Sequence, residues 1–152
     1  MVSPDYFLPK TADKEGLSAW SDLLPAEPRI LRTNLFGDTF LVDAVGGVHM
    51  LERAACSISQ IASSEEEFWR KVLKDDDGWQ LRPLVDECRR AGKVLEDGQC
   101  YAFRTPPLLG GEYILANVWI ASWREWFAFT ADLFEQTKNL PNGTSVQFRV
   151  TD

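Results

Sequence analysis

Three cysteines, two methionines and one histidine are all the sulfur and imidazole chemistry in this 152-residue chain. Cys56, Cys88 and Cys100 are widely spaced, odd in number and form no C-x-x-C pair. That pattern excludes a disulfide framework or a structural zinc site, and reads as reduced, buried thiols. The single histidine, His49, lies inside a strand-like run between Val48 and Met50 and reads as a sheet residue. Catalysis through it would need an orienting acid and a nucleophile, and the sequence marks neither. G-x-S-x-G, H-E-x-x-H, Walker and G-x-G-x-x-G signatures are missing. No apolar run approaches the ~20 residues of a bilayer span, and the N-terminus lacks a basic-then-apolar leader. A cytoplasmic protein without membrane association is therefore expected.

Basic residues are also in deficit, 16 against 23 acidic, for a formal net charge of −7. Affinity for nucleic acid comes mainly from Lys and Arg, so direct nucleic-acid binding is not expected. The same excess suits a protein partner with a basic surface, since opposite fields speed encounter. Ordinary solubility is the plainer account of it. Neither catalytic nor metal-ligating residues are assigned, and no cofactor is called for. Asp75-Asp76-Asp77-Gly78 fails as a calcium loop, because placing Gly78 at the sixth position puts Leu73 first and Leu84 twelfth.

What is abundant is aromatic bulk: six Trp and nine Phe, enough to build one substantial core. Residues 1–32 read as a Pro-rich extension with a short helix from about Lys14 to Leu24, and 33–152 as the domain proper. Thr39–Ala44 and Val48–Arg53 form a hairpin across Gly46-Gly47, with Cys56–Ala62 as a third strand. Ser63 with Glu66 and Ser64 with Glu67 are overlapping capping boxes that open a helix bearing Phe68, Trp69, Val72 and Leu73. A second helix carries Leu81, Leu84, Val85 and Cys88 and stops near Gly92. Strands follow at Tyr101–Phe103 and Tyr113–Ala121. A Ser122–Glu125 box then opens a helix running to about Leu140, and Val146, Phe148 and Val150 alternate in a last strand. Hairpins interleaved with helices give an α+β fold: a largely antiparallel sheet packed with several helices in a single domain.

Two acidic runs, Glu65-Glu66-Glu67 and Asp75-Asp76-Asp77, are either solvated caps and loops or prongs for a basic partner. Trp119 and Trp123 are either core or interface anchors. Pro106-Pro107 and Gly110-Gly111 bracket a backbone bend that enters the strand from Tyr113. An enzyme or small-ligand binder using this bend as a pocket wall, with Glu112 or Tyr113 as polar groups, is a further alternative.

Taken in order, Thr33-Asn34-Leu35-Phe36-Gly37-Asp38-Thr39-Phe40-Leu41, then Gly46-Gly47-Val48 and Glu66-Glu67-Phe68, make one block. The other is Tyr101, Phe103, Pro106-Pro107-Leu108-Leu109-Gly110-Gly111-Glu112-Tyr113, Asn117 and Leu140-Pro141-Asn142-Gly143. Together they resemble the C-terminal-type domain of the Tdi-like immunity proteins of bacterial type VI secretion, without the GAD-like N-terminal domain of many relatives. The resemblance implies a non-enzymatic cytoplasmic antitoxin. Its partner would be a cognate secreted effector, a DNase in the named case, whose active site it occludes. It also gives Phe36, Gly37, Pro106, Pro107, Gly110, Gly111 and Tyr113 a structural role as motif residues. A general interaction or regulatory module tied to no toxin is the alternative class.

Overall fold

The computed structural model describes residues 6–14, 17–75 and 77–140. Four strands, β1 (Arg29–Thr33), β2 (Thr39–Val42), β3 (Val48–Glu52) and β4 (Ser57–Ala62), form an antiparallel meander in that order. A separate antiparallel ribbon pairs β5 (Gln99–Phe103) with β6 (Val118–Ser122). Three helices accompany them: α1 (Glu65–Lys74), α2 (Arg82–Arg90) and α3 (Trp123–Thr137). The α+β class and the antiparallel pairing read from the sequence are those of the structure.

Strand β2 explains how the layers stack. All four of its residues are buried, which requires cover on both faces. Phe40 and Val42 turn to one side and pack with Phe7, Val48, Phe68 and Val72 under α1. Leu41 turns to the other and meets Leu51, Trp20 and Phe134 of α3. A third cluster joins the β5–β6 ribbon to α2 and the start of α3 through Val85, Cys88, Tyr101, Phe103, Trp123 and Trp126. The two sheets meet where the Tyr101 amide donates to the Leu35 carbonyl at 2.8 Å, with the Phe36 ring between Tyr101 and Phe103.

Residues before position 33 are part of this packing. Phe7 bridges to Asn34, the Leu8 amide donates to the Thr33 carbonyl, and Trp20 stacks on Phe134 with ring centroids 4.8 Å apart. The expected Lys14–Leu24 helix is instead two short 3-10 turns, Lys10–Lys14 and Ser18–Trp20. Trp20 is fully buried, and this tertiary anchor outweighs the helical spacing around it. Strand β1 escaped the periodicity reading because its register shifts between Ile30 and Arg32, which breaks the two-residue alternation.

Helix ends follow their local code. Ser64 accepts the Glu67 amide at 3.1 Å, and the Glu67 carboxylate returns to the amide and hydroxyl of Ser63. Ser122 accepts the Glu125 amide at the head of α3. At the end of α2, the Lys93 amide donates to the Cys88 carbonyl and that of Gly92 to Arg89, a Schellman closure with Gly92 at φ +85°. Helix α3 stops at Thr137, and Leu140 is exposed rather than part of its apolar face. The Pro141-Asn142-Gly143 turn and the Val146–Val150 strand lie outside the described residues, as does Asp76. No helix among the described residues is long and apolar enough to cross a membrane.

Candidate functional site

The turn between β1 and β2 is held by a buried polar cluster. Asn34 Oδ1 accepts the amides of Phe36 and Asp38, while Asn34 Nδ2 donates to the Trp79 carbonyl and to Asp38. Asp38 Oδ1 accepts the Arg53 amide at 3.1 Å. Arg53, only 2% exposed, donates from Nε to the Gly37 carbonyl at 2.7 Å and from its guanidinium to Thr39 Oγ1. Its guanidinium carbon stands 3.9 Å from the centre of the Phe127 ring. Helix α3 docks on the same turn, with Trp126 Nε1 donating to the Phe36 carbonyl. Gly37 has φ +90°, and a Cβ there would sit 2.8 Å from Phe127. Phe36 and Gly37 are thus held in the interior by the elements that cross at this turn.

Burial pushes the Asp38 carboxyl up from its ordinary value to about 7; the nearby Glu52 adds to this, and the bonds from Asn34 and Arg53 oppose it. The displacement is worth on the order of 4 kcal/mol. The folded chain keeps this proton at pH values where the unfolded chain has released it. The corresponding stability is present below pH ~4 and lost as pH rises through about 7. Urea midpoints are therefore expected to fall between pH 5 and pH 8, and Asp38→Asn to remove most of that fall. Burial raises Asp13 in the same sense, which leaves a residual slope. An undiminished slope in the variant would contradict this assignment.

The Pro106–Asn117 bend is built differently from the expected strand entry. Pro107–Leu109 is a 3-10 turn, Gly110 closes it at φ +92°, and β6 begins only at Val118. Asn117 supplies the reason. Its Oδ1 accepts the Thr105 amide, and its Nδ2 donates to the carbonyls of Thr105 and Glu112, at 2.8–2.9 Å. This side chain fastens both ends of the bend in place of strand pairing. Gly111 is packed so closely that a Cβ would lie 1.7 Å from the Thr105 carbonyl oxygen. Tyr113 sits edge-on against Phe103 at 5.1 Å, and Pro106 is buried while Pro107 is half-buried.

The structure separates the acidic runs. They occupy opposite ends of α1, about 15 Å apart at 1.5 Å per residue. Glu65 pairs with Arg29, and Glu67 with Ser63 and Lys71. Asp75 is the C-cap of α1, at φ 56°, and lies 3.5 Å from Arg82 Nε. Glu66 and Asp77 are the exposed carboxylates of the two described runs. Lys71, Asp75, Asp77, Trp79 and Gln80 line a shallow depression between α1 and α2. The tryptophans part as well. Trp123 is buried at 9% exposure in the α3 core cluster, so its ring packs inside instead of anchoring a partner, whereas Trp119 is 39% exposed.

His49 Nε2 lies 2.8 Å from Asp43 Oδ2, and Asp43 Oδ1 accepts the amides of Val45 and Gly47. The pair closes the β2–β3 hairpin. The bond from His49 holds the Asp43 carboxyl below the usual range. The three thiols are free, and burial raises each, Cys56 to about 12. Among the described residues, no three His, Cys, Asp or Glu side chains gather as a metal site.

Residues 62–134, just under half of the chain, match the family model described as T6SS immunity protein Tdi1, C-terminal. Over these residues the chain is similar to the Tdi-like family. No curated protein and no solved structure matches the chain. The Tdi-like segment runs from the end of β4 through both capped helices and the β5–β6 ribbon into α3, and it contains the whole Pro106–Asn117 bend. The Thr33–Leu41 block lies before it, so the polar turn packs against the Tdi-like segment from outside the match. Sequence reasoning missed Asn117 as the fastener of the bend, and Arg53 and Asp38 as its buried neighbours. The Asn at 117 in an otherwise β-prone run was the available signal for the first.

Proposed function

We propose that this chain is a cytoplasmic immunity protein that binds a cognate toxin delivered by type VI secretion and neutralises it without chemistry of its own. The observation that carries the reading is the Tdi-like match over residues 62–134. The toxin class favoured is a nuclease, and the mechanism is occlusion. A cleft that holds phosphate backbone must be basic, and a chain of net charge −7 competes for it. Glu66 and Asp77 are the exposed carboxylates proposed to face the toxin, with Asp75, Glu65 and Glu67 contributing field while paired within the chain.

Coexpression tests it. The toxin encoded beside this chain, expressed in a susceptible bacterium, is expected to kill alone and to be tolerated with the chain present, and the two are expected to purify as a one-to-one complex. Affinity is expected to fall ~10-fold or more between low salt and high salt, because the field steers association and salt screens it. A tight complex indifferent to salt would refute the electrostatic part. Killing that persists beside a folded, abundant chain would refute the immunity reading for that toxin.

A further inference from the structure

Val45, Leu73, Val94 and Leu140 are exposed apolar side chains on separate elements, whereas Leu108, Leu109, Tyr113 and Ile114 share one loop and are 38–47% exposed. That loop is fastened by Asn117, jammed at Gly111 and braced by Phe103. Four large apolar side chains are therefore presented on a backbone with little freedom left to lose. Contiguous exposed apolar surface marks interaction sites, and a preordered surface avoids the entropy of ordering at the moment of binding. Tyrosine is among the residues that dominate interface energies.

The exposed charge on the loop is acidic, and the cation packed beneath it, Arg53, is buried. Glu112 is exposed beside Tyr113. Glu52 and Asp38 lie close enough to act on the Tyr113 hydroxyl, which burial first and these carboxyls next push up to about 12. The nearest exposed cation in sequence, Arg104, belongs to the opposite face. In the β5–β6 register Phe103 pairs with Val118 and Ala102 with Trp119; paired residues share a face and successive ones alternate. Trp119 and Arg104 thus lie on one side of the ribbon, and Phe103 with Tyr113 on the other.

We infer that the Leu108–Ile114 loop is the seat of the toxin, taking a segment that presents apolar side chains fringed by Lys or Arg, with Glu112 and Glu52 meeting the fringe. This rests on the immunity reading above and locates its short-range contact, which the outward carboxylates alone would not supply.

The test is calorimetric and kinetic binding to the adjacently encoded toxin, inactivated by substitution, using the full chain. Leu109→Asp with Ile114→Asp is expected to weaken binding ~30-fold or more, as for loss of a hot-spot cluster, and to abolish rescue. Glu112→Lys is expected to slow association several-fold at low salt. Val45→Asp, on the 92% exposed hairpin tip, is expected to bind like wild type. Unchanged affinity in the folded double variant would overturn the loop assignment and leave the immunity reading standing. Absence of binding by the wild type would overturn both. Should the double variant not fold, unaltered association of Glu112→Lys at low salt overturns the assignment. A dimer of the free chain that the double variant dissolves would reassign the face to self-association, and would overturn it too.

Discussion

Arg53→Ala is expected to destabilise the fold by about 3–5 kcal/mol, since it leaves buried acceptors unpaired and removes a large buried side chain. The guanidinium joins the Gly37 carbonyl, Thr39 and the Phe127 ring. Those groups belong to the β1–β2 turn, to β2 and to α3, so truncation leaves polar atoms unpaired where three elements cross. It also opens a void beside a ring that loses its cation. Arg53→Met separates the two costs, because it keeps most of the volume and removes the donors. Methionine is expected to recover part of the loss, with the remainder measuring the hydrogen bonds.

Loss of Arg53 has a second, independent signature. Arg53 holds the Asp38 proton affinity down, through its amide and its charge. Methionine keeps the amide and removes the charge, so the Asp38 carboxyl is expected to rise further. The fall of stability with pH then extends to higher pH than in wild type. Urea unfolding from pH 5 to pH 9 reads both quantities. A methionine variant with wild-type stability and the wild-type pH slope would mean that Arg53 fills space without bonding.

Arg53 also marks the boundary of what was legible. Features written within a few residues were readable: the Ser64 and Ser122 caps, the Gly46-Gly47 hairpin and the Gly92 stop. Each depends on one local backbone demand that few residue types meet. A fully buried arginine contradicts the usual placement of its residue type. Its partners Gly37 and Thr39 are brought near only by the meander, so sequence spacing holds no trace of them. Glu65 illustrates the same limit for the candidate site. As one of three consecutive acids it resembles a prong, yet Arg29, 36 positions away, neutralises it. Tyr113–Asn117 failed as a strand for a third reason. β-propensity favoured pairing, but one asparagine side chain offered Thr105 and Glu112 a competing set of hydrogen bonds.

The paired glycines of that bend are expected to respond very differently to the same added methyl group. At Gly110 a Cβ meets nothing within 4 Å, and the only obstacle is φ +92°. Gly110→Ala should therefore cost about 1 kcal/mol, the left-handed penalty, and Gly110→Asn less. At Gly111 the Cβ would stand 1.7 Å from the Thr105 carbonyl oxygen and 3.0 Å from Asn117 Nδ2. A backbone oxygen cannot swing aside like a side-chain end. The loop must move, and its movement breaks the Asn117 bonds that set the spacing. Gly111→Ala is expected to cost well over 1 kcal/mol and to approach the effect of Asn117→Ala, which removes three bonds and leaves the Thr105 and Glu112 groups to find others. Because both changes act through one fastener, the double variant should cost little more than the worse single one. Denaturant midpoints of the five variants decide this, and hydrogen exchange at the Thr105 amide locates it. Equal costs at Gly110 and Gly111 would mean that backbone conformation alone selects glycine there. Strict additivity of Gly111→Ala with Asn117→Ala would mean that the two residues do not hold the same loop.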